Sequence, residues 1–174
     1  MVNIGKRIMV VGSPGSGKST FSTKLSETTG IPLIHLDKEY WNSGWIETTR
    51  EEWIKKQGRL IVGDSWILDG NYGGTMELRL DKADTVILFR LNRVVCLTRY
   101  FKRVITNLNK IRPDMPEGCP EKLDFEFMKY IWNFPEASGR RNVERIKKCN
   151  DKNIVIFNKR HEVDRYMKDI LAMK

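Results

Sequence analysis

Short continuous apolar runs alternate along this chain with longer stretches of helical period. Five runs stand out: Arg7–Val11, Leu33–His35, Trp66–Asp69, Thr85–Leu88 and Asn153–Phe157. They lack the in–out alternation of a half-exposed strand, which predicts strands buried on both faces. Between them, helical segments are expected at Lys18–Glu27, Thr49–Ile61, Arg93–Asn109, a pair within Glu121–Cys149, and His161–Ala172. Strands alternating with helices predict βαβ units: an α/β fold of three layers, α/β/α, around a five-stranded parallel sheet. Right-handed crossovers then bring the carboxyl ends of all strands to one edge, where ligands bind.

One region breaks this rhythm. Between Lys110 and Pro120 the chain carries Pro113, Pro116, Gly118 and Pro120, so a helix is not expected there. The stretch from about 107 to 149 therefore reads as a helical excursion within a single domain spanning 1–174. An insertion of this length over a sheet edge suits a mobile lid; a rigid surface subdomain is the alternative.

The first strand runs into Gly12-Ser13-Pro14-Gly15-Ser16-Gly17-Lys18-Ser19-Thr20, which fits G-x-x-x-x-G-K-[ST] at every fixed position. A strand enters the motif and a helix leaves it, the context the pattern requires. Glycines let backbone N–H groups turn toward a polyphosphate. The helix directs its positive end at the anion. Lys18 supplies a mobile charge for the outer phosphates, and the Ser19 hydroxyl can join a Mg²⁺ shell. The expected ligands are ATP and Mg²⁺.

The partners of this loop should follow the other strands. Asp37 sits just past the second strand, placed to accept a hydroxyl proton or to orient a metal-bound water. Asp69 ends the third strand after Trp66-Ile67-Leu68, so its carboxylate can reach the Mg²⁺ shell, and Gly70 allows close approach. Asn71 and Tyr72 follow as candidate acceptor contacts, although a turn explains them equally well. Arg99 and Arg103 lie four apart on one helical face, where guanidinium groups can stack on a base or fork onto phosphate. Arg140, Arg141 and Arg145 lie on the far side of the excursion, and one or two could swing onto a transferring phosphate. Trp41, Trp45 and Trp53, with Tyr40, either line an acceptor pocket or form core. His35 and His161 are expected to be packed in a strand and to lie near a helix start.

Composition narrows the classes. A chain of 174 residues with 40% hydrophobic and 30% charged residues suits one globular domain. No apolar run approaches the ~20 residues a membrane span needs, and the amino terminus lacks a signal-peptide layout, so a cytoplasmic protein is expected. Cys96, Cys119 and Cys149 are scattered, which argues against a disulfide framework or a zinc site. The net charge of +9 admits nucleic acid as a partner, but no recognition module accompanies it, and a site for several phosphates accounts for the basic balance as well. Both a monomer and a homodimer fit the sequence.

These residues together resemble the P-loop kinases of the adenylate-kinase-like group. Val86-Ile87-Leu88-Phe89-Arg90-Leu91-Asn92-Arg93, followed by Cys96-Leu97-Thr98-Arg99-Tyr100-Phe101-Lys102-Arg103, resembles the group's fourth strand and lid-entry helix. The resemblance implies Arg99 against adenine and Arg103 on the phosphates. Leu68-Asp69-Gly70 is similar to the group's third-strand motif. Asn158-Lys159-Arg160-His161-Glu162 resembles its adenine-contacting loop, which implies Lys159 at the cofactor. Asn71-Tyr72-Gly73 stands where adenylate kinases carry Phe-Pro-Arg, so AMP is not the expected acceptor. A narrower resemblance is to bacterial proteins named for modulation of DNA topology. It rests on His35-Leu36-Asp37 with Trp41 and Trp45, Leu68–Tyr72, and Arg112-Pro113-Asp114-Met115 with Glu117-Gly118-Cys119. The implied activity is transfer of the ATP γ-phosphate to a small nucleoside- or nucleotide-like acceptor. Lys18, Asp37, Arg103, Arg140 and Arg141 are then the catalytic candidates. The alternative is an ATPase or regulator linked to DNA topology.

Overall fold

The computed structural model describes residues 4–172. Five parallel strands form one sheet in the order β2-β5-β1-β6-β7, with β1 Arg7–Gly12, β2 Leu33–His35, β5 Trp66–Asp69, β6 Thr85–Phe89 and β7 Asn153–Phe157. Each coincides with an apolar run of the sequence. The three central strands are almost wholly buried, whereas the edge strands β2 and β7 are mostly half-buried.

Alternate residues of each central strand feed two separate cores. Ile8, Val10, Ile67, Ile87 and Phe89 face one side, with Phe21 and Leu25 of α1 (Lys18–Thr29), Cys96 and Tyr100 of α5 (Arg93–Asn107), and Val163 and Ile170 of α8 (Arg160–Leu171). Met9, Val11, Trp66, Leu68, Val86 and Leu88 face the other side. There they meet Leu36 of α2 (Leu36–Tyr40), Trp53 of α3 (Arg50–Leu60), Met76 and Leu80 of α4 (Met76–Lys82), and Ile146 of α7 (Ser138–Lys147). The period of two along the strands thus builds the three layers directly.

Helix starts follow local chemistry. Thr49 caps α3, Asn92 caps α5 and Asp124 caps α6 (Phe125–Asn133), each accepting a backbone N–H from the first turn. The structure adds elements too short for a periodic signal: α2, α4 and a two-stranded hairpin of β3 (Trp41–Asn42) and β4 (Ile46–Glu47). Among the described residues, no helix is long and apolar enough to cross a membrane.

The excursion is α6 and α7 preceded by a long connection, residues 108–124. That connection crosses above the sheet edge and touches the hairpin on the far side. Gly44 N–H donates to the Gly118 carbonyl (2.9 Å), and the Cys119 thiol lies 3.2 Å from the Asn42 carbonyl. At its other end the Tyr100 hydroxyl accepts from Asp124 N–H (2.9 Å) and donates to the Lys122 carbonyl (3.2 Å).

Candidate active site

A cavity of about 1350 Å³ opens at the carboxyl edge of the sheet. Its floor begins with the loop that joins β1 to α1. Gly12 and Gly15 both have positive φ, and a side chain at either would strike backbone: the Phe89 carbonyl at 2.2 Å and the Cys96 carbonyl at 2.3 Å. The loop is therefore seated on β6 and α5 at contact distance. Lys18 folds back so that its ammonium donates to the Ser13 carbonyl (2.9 Å). Burial lowers the Lys18 pKa, while the carboxylates of Asp69 and Asp37 act in the opposite direction. The Ser16 hydroxyl is buried with no hydrogen-bond partner. No acidic side chain occupies the first turn of α1, which leaves its positive end unneutralised from within the helix.

The strand register fixes the acidic half of the floor. His35 pairs with Asp69 across β2 and β5, and Val10 pairs with Asp69 across β1 and β5. His35 Nδ1 lies 3.0 Å from Asp69 Oδ2. This corrects the expectation that His35 is merely packed in its strand: it lines the cavity. Burial works against its charged form, but the hydrogen bond and charge of Asp69 outweigh this and raise its pKa. The other Asp69 oxygen, Oδ1, is buried and unpartnered. Asp37 lies in the first turn of α2, where the Tyr72 hydroxyl donates to its Oδ1 (2.7 Å). Burial raises the Asp37 pKa, opposed by the Tyr72 hydrogen bond and assisted by the nearby charge of Asp69. Tyr72 is wedged between Tyr40 and Trp53, with ring centroids 4.7 and 4.8 Å away.

The roof is built of ion pairs. Glu121, almost fully buried, binds Arg103 (3.0 Å) and Arg112 (2.7 Å), and Arg112 also binds Asp114 (2.7 Å). Trp41 and Trp45 of the hairpin meet edge to face at 5.4 Å, and the Lys122 ammonium lies 5.3 Å from the Trp45 ring centre. At the third side Arg141 donates to the Ser138 hydroxyl (3.1 Å), and Arg145 donates to the Gly73 carbonyl (2.6 Å) and pairs with Glu77 (2.9 Å).

The structure gathers most of the candidates around this one cavity. Pro14, Gly15, Gly17, Lys18, Ser19, Thr20, Asp37, Trp41, Asp69, Gly70, Asn71, Tyr72, Arg99, Arg103 and Arg141 all line it. Gly12, Ser13 and Ser16 frame the loop from behind. Arg140 and Lys159 are exposed and do not line it, whereas their neighbours Arg141 and Arg160 do. Arg99 donates to the Ser16 carbonyl (3.0 Å), and Arg99 and Arg160 both approach Gly17. The aromatic cluster divides: Trp53 is core, while Trp41 and Trp45 are cavity wall. Asn71 lines the cavity and also braces the loop. Its amide accepts from Gly12 N–H (2.9 Å) and donates to the Gly12 carbonyl (2.8 Å), tying the phosphate loop to the end of β5.

Sequence reasoning missed His35, Tyr130 and the Arg112–Asp114 pair as wall residues. His35 was accessible in principle, since it ends a strand two residues before Asp37. Tyr130, hydrogen-bonded with Ser138, lies on a helix far along the chain and gave no signal.

Neither known protein families nor curated proteins match the sequence. Solved structures do match in shape. A shikimate kinase from Bacteroides thetaiotaomicron aligns with a TM-score of 0.55 at 16% identity, over 97% of this chain and 97% of that one. A gluconokinase from Sinorhizobium meliloti 1021 aligns with a TM-score of 0.57 at 16% identity, over 99% of this chain and 94% of that one. At this identity the likeness is one of fold, and the chain has the α/β fold of the P-loop kinases.

Proposed function

We propose that the chain is an ATP-dependent phosphotransferase that moves the γ-phosphate to a hydroxyl of a small, ring-bearing acceptor of the nucleoside kind. The observation that carries this reading is the sharing of one cavity by the Lys18 ammonium and the Asp37 carboxylate, with Tyr72 aiming the latter. Two proteins of the same fold are kinases by name, a shikimate kinase and a gluconokinase, which supports the reaction class.

In this reading the loop from Gly12 to Thr20 holds the triphosphate, with Lys18 leaving Ser13 for the outer phosphates. Arg99 and Arg160, flanking Gly17, hold the base side. Ser19 and Asp69 would hold Mg²⁺: the orphaned Asp69 Oδ1 is a hard oxygen donor of the kind that ion takes. When bound, the ion neutralises phosphate charge. Asp37 accepts the proton of the acceptor hydroxyl as its oxygen bonds to the γ-phosphorus and the bond to the bridging oxygen breaks, releasing ADP. Burial raises the Asp37 pKa, which makes its carboxylate a stronger base than an ordinary aspartate. Arg103 and Arg141 stabilise charge on the transferring group. The 108–124 connection acts as the lid, excluding water so that transfer prevails over hydrolysis.

The test is ADP release with Mg²⁺ across a panel of nucleosides, nucleotides and small alcohols, with duplex DNA as a separate arm. One acceptor should raise turnover well above the basal ATPase rate. Brisk hydrolysis that no acceptor diverts, or hydrolysis stimulated by DNA alone, would overturn the reading.

A further inference from the structure

The most deeply buried charge among the described residues lies outside this chemistry. Arg79, on α4, is 0% exposed and forms no ion pair among the described residues. Its guanidinium instead donates to three consecutive carbonyls: Nη1 to Gly70 (3.0 Å), and Nη2 to Asn71 (2.6 Å) and Tyr72 (3.1 Å). Burial lowers its pKa to about 10, so it stays charged at neutral pH. An unpaired buried cation is costly unless its hydrogen bonds are well made. A guanidinium suits the task because its donors are set in a rigid planar fork.

The carbonyls it gathers belong to the residues that organise the floor. Asn71 clamps Gly12 through both the oxygen and the nitrogen of its side-chain amide. Tyr72 has φ of +37°, a conformation that a bulky aromatic residue adopts only when its surroundings impose it. Its hydroxyl is the donor to Asp37. Resting on the phosphotransferase reading, we infer that Arg79 is the positioning residue of the reaction, holding the 70–72 turn in the strained form that sets Tyr72 against Asp37 and Asn71 against the phosphate loop. Arg79 touches neither nucleotide nor acceptor: it does not line the cavity. Its action passes through the peptide carbonyls alone.

Lysine at this position keeps the charge but cannot span three carbonyls, and alanine leaves a guanidinium-shaped hole. Arg79→Ala should lower kcat by about 10- to 100-fold, the effect of losing charge-assisted hydrogen bonds. The KM for ATP should change less, because most groups of the phosphate loop are held by β6 and α5. Millimolar guanidinium ion should restore a large part of kcat in Arg79→Ala and none in Lys18→Ala. Arg79→Lys serves where the alanine variant folds poorly. In a cycle with Tyr72→Phe, Arg79→Lys should add less than about twofold to the loss caused by Tyr72→Phe alone, as expected when both act through one hydrogen bond. Additive losses in that cycle, or an Arg79→Lys enzyme with unaltered kcat, would overturn the inference.

Its failure is separable from failure of the kinase reading. If the wild-type chain transfers phosphate to no acceptor, crystal structures decide the matter. The wild type should show Tyr72 Oη on Asp37. Arg79→Lys should show the 70–72 turn relaxed and the Tyr72–Asp37 hydrogen bond broken, while the β1–β5 register persists. An unchanged turn in the variant rejects the positioning role whatever the reaction proves to be.

Discussion

The floor and the roof of the cavity are held by different kinds of force. The floor is backbone: parallel strands in fixed register set His35, Asp69 and the start of the phosphate loop at one level, and a bidentate amide ties Asn71 to Gly12. The roof is side chain: Glu121 gathers Arg103 and Arg112, and a single backbone bond and a thiol contact join Gly118 and Cys119 to the hairpin. Backbone ladders resist displacement because each bond is locked by its neighbours. Glu121 is buried, so its ion pairs open only when another anion, such as a phosphate, takes over Arg103 or Arg112. In the phosphotransferase reading, the rigid floor holds the nucleotide while the roof re-pairs around it.

Removing the floor's cation should have the largest effect. Lys18→Ala should lower transfer by at least about 100-fold, as loss of a preorganised group facing the developing charge does. Calorimetry should show weakened ATP·Mg²⁺ binding, and an undiminished turnover would break the assignment of the floor to phosphate.

Asp37→Asn comes next. It should lower kcat by about 100-fold or more, the usual range for a general base, while ATP affinity is retained. Stability should move the other way. The folded state raises the Asp37 pKa, so the native protein holds this proton more tightly than the unfolded chain. Stability attached to Asp37 is therefore greatest at low pH and falls as pH rises from the unfolded value through the raised native one. Asp37→Asn should thus raise Tm at pH 7, with the gain vanishing in acid. The acid limb of kcat/KM in the wild type should lie above the ordinary aspartate range and vanish in the variant.

Perturbing the roof should be milder. Glu121→Gln removes the anion shared by Arg103 and Arg112 and should cost about 1–3 kcal/mol of stability. Its sharper signature is a higher ratio of hydrolysis to transfer, measured as ADP formed per phosphorylated acceptor. An unchanged ratio would show that the 108–124 connection does not control water.

The smallest effect separates neighbours on α7. Arg140→Ala should leave transfer within about twofold, as surface substitutions usually do. Arg141→Ala should lower it by about tenfold through removal of a charge-assisted hydrogen bond. Equal effects would mean that the exposed face of α7 turns into the cavity during turnover.

The three central strands were legible because burial on both faces demands unbroken apolar runs, while the half-buried edge strands β2 and β7 showed only as short apolar runs in the alternating order. The phosphate loop was legible because eight neighbouring residues carry its whole geometry. The hairpin around Trp41 and Trp45 was not: strands of two residues have no period to detect. Arg140 and Arg141 could not be told apart by spacing, because which of two adjacent residues faces inward depends on how α7 packs through Ile146. Arg79 sits in Met76-Glu77-Leu78-Arg79-Leu80, a segment too short to carry a period, so nothing there marks it as buried.

The sequence by itself determined the layers, the glycine-rich loop between β1 and α1 and the sheet edge it lies on, since these follow from local period and from glycines within a few residues of one another. Only the tertiary structure decided which side chains meet there. His35 on Asp69, Tyr72 on Asp37, Glu121 between two arginines and Arg79 beneath the turn are pairings across separate segments. Each is chosen by strand register, helix rotation and the need of a buried polar group for a partner, and none of these is written in the spacing of any one segment.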